Sequence, residues 1–199
     1  MKKRSIALLL LLVLLTGCGA KTEEAPWQTA YRETGKYLQE QDTLSAGSVD
    51  GEWAVIGLSR AGLLSDETAQ SYEQTVEDYV KQAGSVRLHH AKSTENSRTI
   101  LGLTAAGYNA ANMAGVDLTA GLTDMAYLRA QGTNGPIWAL IALDCHGYDI
   151  PQCADGEEQT TREGLVAEIL SYQCSDGGWA LMGDESDVDM TAMALTSLA

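Results

Sequence analysis

The sequence predicts an all-α fold of about four helical hairpins in two layers. Three observations carry this. An apolar segment recurs four times, as Trp53-Ala-Val-Ile-Gly-Leu58, Arg98-Thr-Ile-Leu-Gly-Leu103, Trp138-Ala-Leu-Ile-Ala-Leu143 and Met190-Thr-Ala-Met-Ala-Leu195. A glycine follows the first three at the same distance, as Gly62, Gly107 and Gly147, where a helix ends most cheaply in the left-handed conformation. Between the copies lie segments with a single apolar stripe at helical spacing.

The chain of 199 residues opens with a basic stretch, Lys2-Lys3-Arg4, and an unbroken apolar run from Ile6 to Leu15. Such a run is too short to cross ~30 Å of hydrocarbon as a permanent helix. It ends in Leu15-Thr16-Gly17-Cys18, which resembles a bacterial lipobox. Residues 1–17 are therefore expected to be a lipoprotein signal peptide, with Cys18 lipidated and residues 18–26 a polar tether. The expected location is the outer face of the cell membrane, held there by acyl chains on Cys18. Loss of the three basic residues would take the formal charge from −14 to −17. So negative a field repels phosphate backbones and argues against nucleic-acid partners.

Residues 27–199 carry the hairpins. Trp27 to Gln41 is the weakest helix candidate. Ser65 to Ala83 has a serine cap, acids in its first turn and a stripe of Ala69, Tyr72, Val76, Tyr79 and Val80. Asp117 to Ala130 repeats the plan with Leu118, Leu122, Met125 and Leu128. Thr160 to Gln173 opens on a capping-box pattern, Thr160-Thr-Arg-Glu163, and is expected to bury Leu165, Ile169 and Tyr172. The four recurring segments are apolar nearly all round, which predicts burial on more than one side; their small residues let neighbours approach closely. With Leu58, Leu103, Leu143 and Leu195 taken as equivalent, these segments form an inner layer and the striped helices an outer one.

The stretch Gln173-Cys-Ser-Asp-Gly177-Gly-Trp179 matches the QW motif of terpene cyclases, with Gln173, Gly177 and Trp179 as its fixed positions. Asp187-Val-Asp189-Met190-Thr-Ala192 is similar to the D-x-D-D-T-A signature of squalene-hopene cyclases, with Met190 in place of the fourth-position acid. The chain thus resembles the prenyltransferase and squalene-oxidase repeat superfamily, and in particular its exported bacterial members. That resemblance implies an α/α toroid, incomplete here because six hairpins close the ring. It makes Asp189, with Asp187 beside it, the candidate catalytic general acid. The competing reading is that Asp187 caps the last helix and Asp189 complements its dipole.

A zinc site of the protein-prenyltransferase kind would draw on Cys145, His146, Cys153, Cys174, Asp144, Asp155 and Asp176, none of which shows zinc-closing spacing. No metal and no cofactor is therefore expected. Cys145 and Cys153 are spaced for either a loop disulfide or free thiols. His89-His90 lies in a polar loop. Trp53, Trp138 and Trp179 fall near the starts of inner helices and are candidate ligand-stacking residues, or core. The expected function is a surface lipoprotein that binds a small molecule (glycan, corrinoid or lipid) or an envelope partner. A terpene-cyclase-like enzyme using Asp189 and a structural or adhesive module are the alternatives. An open apolar edge also predicts self-association.

Overall fold

The computed structural model describes residues 25–41 and 44–199, so the expected signal peptide, Cys18 and the start of the expected tether lie outside the described residues. The chain divides into two compact units at Lys36–Tyr37. In the first, helix α1 (Pro26–Gln39) begins, with Trp27 and Tyr31 exposed; it runs on into the second unit.

The second unit is all-helical. It holds α2 (Val49–Arg60), α3 (Asp66–Ala83), α4 (Thr94–Ala105), α5 (Met125–Arg129), α6 (Asn134–Asp144), α7 (Arg162–Ser171) and α8 (Val188–Ser197). Two 3-10 turns, Ala110–Asn112 and Leu118–Leu122, precede α5. Among the described residues there is no strand, only isolated bridges such as Gln173–Trp179. No described helix is long and apolar enough to cross a membrane. Helix α2 packs on α4, α4 on α6 and α6 on α8, while α3 touches α2, the second 3-10 turn touches α4, and α5 and α7 touch α6.

The recurring segments share a register set by their N-caps, Ser48, Ser93, Thr133 and Asp187. Counted from the cap, positions 3, 4, 6, 7 and 10 are buried in the first three helices, with Leu58, Leu103 and Leu143 at position 10. In α8 the buried residues are Met190, Ala194 and Ser197, at positions 3, 7 and 10. Ser197, not Leu195, is therefore the partner of the three leucines, and Leu195 is 57% exposed. Matching leucine to leucine misplaced the fourth copy by two residues, because burial follows the helix start rather than residue identity.

Each of the first three segments ends on a Schellman motif. Gly62, Gly107 and Gly147 have φ of 68°, 88° and 64°. The next amide donates back across the turn, Leu63 to the Leu58 carbonyl, Tyr108 to Leu103 and Tyr148 to Leu143, at 2.9, 2.9 and 2.8 Å. These bonds satisfy carbonyls that a helix end otherwise leaves without partners. Arg162 reinforces the third end, donating to the Leu143 and Tyr148 carbonyls and pairing with Asp144.

Close approach explains Gly102 but not Gly57. A Cβ on Gly102 would stand 2.3 Å from the Tyr72 hydroxyl oxygen, whereas one on Gly57 would meet nothing. Two of the three striped segments also depart from expectation. Helix α3 forms with Ser65 capping it through the Thr68 amide, as its sequence predicts. Asp117 to Ala130, however, is no single helix: Asp117 caps the 3-10 turn and Asp124 starts α5 afresh. There the chain pairs with the 158–160 segment, Met125 N–H donating to the Glu158 carbonyl and Thr160 N–H to that of Thr123. Leu118, Leu122, Met125 and Leu128 are buried all the same. In α7 the cap is Thr161, not Thr160, and Tyr172 is exposed while Leu165 and Ile169 are buried.

Candidate functional site

The cap register that buries positions 3, 4, 6, 7 and 10 leaves positions 5 and 8 on a common face. Position 5 carries Trp53, Arg98, Trp138 and Ala192; position 8 carries Ile56, Leu101, Ile141 and Leu195. Apart from Arg98, these side chains are apolar, and each is half-buried or exposed. Over α2, α4 and α6 this face forms an open cavity of about 400 Å³, lined by Trp53, Ile56, Leu101, Trp138 and Ile141 together with Ser59, Arg60, Thr104, Ala105 and Cys145. Trp53 and Trp138 meet edge to face across it, ring centroids 5.4 Å apart and planes at 62°. That arrangement suits the aromatic quadrupole and leaves indole surface open to a third ring.

Trp53 also lines a larger hollow of about 720 Å³, together with residues of the end of α1 and the start of α2. Tyr37, Leu38 and Leu44 contribute to it, and among the described residues its one charged lining residue is Asp50.

The three tryptophans are not brought together. Trp179 is 3% exposed and donates its indole N–H to the Ile169 carbonyl. It is a packing residue of the turn between α7 and α8. Gln173 Nε2 donates to the Gly177 carbonyl at 2.8 Å, and Gly177 has φ of 90°. Gly178 sits where a Cβ would come within 2.6 Å of that of Ser186. Asp176 accepts from the Gly178 amide and the Ser186 hydroxyl, and these bonds hold its carboxyl below the ordinary range, the Ser186 hydroxyl most. Gln173, Gly177 and Trp179 thus clasp two helix ends.

The two aspartates have separate fates. Asp187 is the N-cap of α8: one carboxylate oxygen accepts from the Met190 amide at 2.7 Å, the other from the Leu181 amide at 3.2 Å. Asp189 is exposed in the first turn of α8. Neither lines a described cavity.

The most deeply buried carboxylate is one the sequence did not single out. Glu52 is 0% exposed; it accepts from the Gly47 amide at 2.7 Å and pairs with Arg98, which also holds Glu95. Burial pushes the Glu52 carboxyl up, against the pull of the Gly47 amide and the Arg98 guanidinium. The Tyr72 hydroxyl lies beside it without a hydrogen-bond partner and is pushed well above the ordinary phenol range, chiefly by burial. With Gly102 closing over that hydroxyl, there is no room for a substrate. The cluster ties α2, α3 and α4 together.

Cys145, Cys153 and Cys174 are unpaired. His89 and His90 stack at 4.5 Å, and His89 Nδ1 accepts from the Ala91 and Lys92 amides. Among the described residues no group of three His, Cys, Asp or Glu is placed to hold a metal ion. Sequence reasoning found Trp53 and Trp138, named Cys145 only as a metal or disulfide candidate, and missed Ile56, Leu101, Ile141 and Arg60. Counting every third or fourth residue from each cap would have collected them.

No protein-family model, no curated protein and no solved structure matches this chain.

Proposed function

We propose that the chain is a surface lipoprotein, anchored through Cys18, whose terpenoid cyclase-like repeats form part of an α/α toroid and bind a ligand or an envelope partner. The single observation that carries this reading is the half-exposed apolar face along α2, α4 and α6, with Trp53 and Trp138 paired over a cavity of about 400 Å³. Cavities of this size, mostly apolar with a few polar groups, are where small molecules bind. The succession of neighbours from α2 to α8 supports the toroid part of the proposal. Exposed Leu181 and Met182 before α8, and Val188 and Leu195 on it, support self-association. The cyclase alternative needs an acid aimed into an apolar cavity; Asp187 is engaged as a cap and Asp189 faces water, so the binding reading is preferred.

Titrating the purified full chain with glycans, corrinoids, lipids and envelope extract while following tryptophan fluorescence tests the reading. A saturable change that is lost in Trp53→Ala is the expected result. No saturable change with any of them overturns it.

A further inference from the structure

The cavity over α2, α4 and α6 has one charged residue in its lining, Arg60, in the last turn of α2. Arg87, Arg98, Arg129 and Arg162 are each held by carboxylates. Arg60 forms no ion pair among the described residues, although acids outnumber bases 27 to 13 in the chain. Beside it are three small polar groups, Ser59, Thr104 and Cys145; the remainder of the lining is apolar. Ser59 already donates to the Ala105 carbonyl and Thr104 to that of Ile100, so Arg60 is the charged donor left for a ligand.

We infer that this cavity binds an amphiphilic monoanion: a flat or aromatic apolar body against Trp53, Trp138 and Ile141, and one carboxylate or sulfonate on Arg60. The inference rests on the binding reading above and specifies its ligand. A planar guanidinium with two parallel N–H donors matches a carboxylate or sulfonate edge. A diphosphate is a poorer match, because a single cation lines the cavity and no metal-holding cluster is present among the described residues. The neighbouring hollow that Trp53 also lines has Asp50 as its charged group among the described residues, which repels the same anion.

Two dyes with one carbon skeleton test this: 8-anilinonaphthalene-1-sulfonate, and N-phenyl-1-naphthylamine, which lacks the sulfonate. Both are titrated against the full chain. Arg60→Gln is expected to weaken the sulfonate about tenfold and the neutral dye less than twofold. Lys92→Gln, which removes an exposed cation outside the cavity, is expected to change neither. Equal effects of Arg60→Gln on both dyes, no effect on either, or an equal loss of the sulfonate in Lys92→Gln overturns the assignment of the anion to Arg60. Failure of the wild-type chain to bind either dye overturns the binding reading itself.

Discussion

The indole N–H of Trp179 donates to the carbonyl of Ile169 at 2.7 Å, so a residue in the turn before α8 bonds a last-turn carbonyl of α7 that also accepts from the Tyr172 amide. Thr191 grips the same residue from the other side, accepting from the Trp179 amide at 2.9 Å. Two helix ends are thus joined through one buried residue, by its indole on one side and its backbone amide on the other. Trp179→Phe keeps most of the packing and loses the hydrogen bond, an expected cost of about 1–2 kcal/mol. Trp179→Ala also opens a cavity, an expected cost of about 3–5 kcal/mol. Denaturant unfolding of the two variants checks the order. Equal losses would mean that the bond contributes nothing.

Glycines in and after α2 and α6 are expected to respond in opposite directions to the same change. Gly147 has φ of 64° at a Schellman turn, so Gly147→Ala forces a Cβ into the left-handed region at about 1–2 kcal/mol. Gly57 is inside α2 with open space where a Cβ would go, so Gly57→Ala is expected to stabilise by about 0.5–1 kcal/mol. Thermal melts read both signs directly. A destabilised Gly57→Ala would place a neighbour where the structure has none.

Asp187 and Asp189 separate a structural acid from a solvated one. Asp187→Ala removes the acceptor for the Met190 amide and is expected to cost about 1 kcal/mol, while Asp187→Asn retains an oxygen there and costs less. Asp189→Asn is expected to stay within about 0.5 kcal/mol of wild type. The same three proteins, assayed with squalene or prenyl diphosphates, test the enzyme alternative. A product that disappears in Asp189→Asn without loss of stability would make that residue an acid catalyst.

The parts of this fold legible in the sequence are those set by local backbone chemistry. Gly62, Gly107 and Gly147 mark helix ends because only a residue without Cβ takes the left-handed conformation cheaply. Ser65 and Asp187 mark starts because their oxygens reach an amide two or three residues on. Leu195 misled because one apolar residue at a helix surface looks like another until the cap fixes the rotation. The break at Asp124 was hidden for a different reason: it depends on backbone pairing with residues 158–160, far along the chain. Glu52 was invisible as a buried ion because its partner Arg98 is 46 positions away. Of the site, the two tryptophans were readable as large rings at matching positions. Arg60 and Cys145 were not, since their significance lies in which faces of three helices converge.

Stability should titrate through Glu52. Burial makes its carboxyl a weaker acid in the fold than its ordinary 4.5. Such a group supports the fold most when protonated, so its contribution falls as pH rises from 4.5 through the folded value. Glu52→Gln lacks this titration and leaves Arg98 paired with Glu95. Between pH 7.5 and pH 5, the stability of wild type relative to Glu52→Gln is therefore expected to move in favour of wild type. Urea unfolding of both proteins at the two pH values checks the direction. A gap that moves the other way would mean that the Arg98 and Gly47 interactions outweigh burial.

Cys145 offers a chemical report on the cavity that does not depend on dye fluorescence. It lies in the lining beside Trp138 and Ile141, and its Sγ contacts the Ala142 carbonyl and the Thr104 hydroxyl. Burial pushes its thiol up, partly countered by the Thr104 hydrogen bond and assisted by Asp144. The thiolate is the nucleophile, so alkylation by iodoacetamide is expected to be slow near pH 7 and to accelerate as pH rises past the ordinary thiol range. Cys153 lies outside the lining and serves as the internal reference. With the anilinonaphthalene sulfonate bound, the ratio of Cys145 to Cys153 labelling, read by peptide mass spectrometry, is expected to fall at every pH. In Arg60→Gln the fall should require about ten times more dye. Dye binding that leaves the ratio untouched would place the ligand elsewhere on the protein, even if the fluorescence titration saturates.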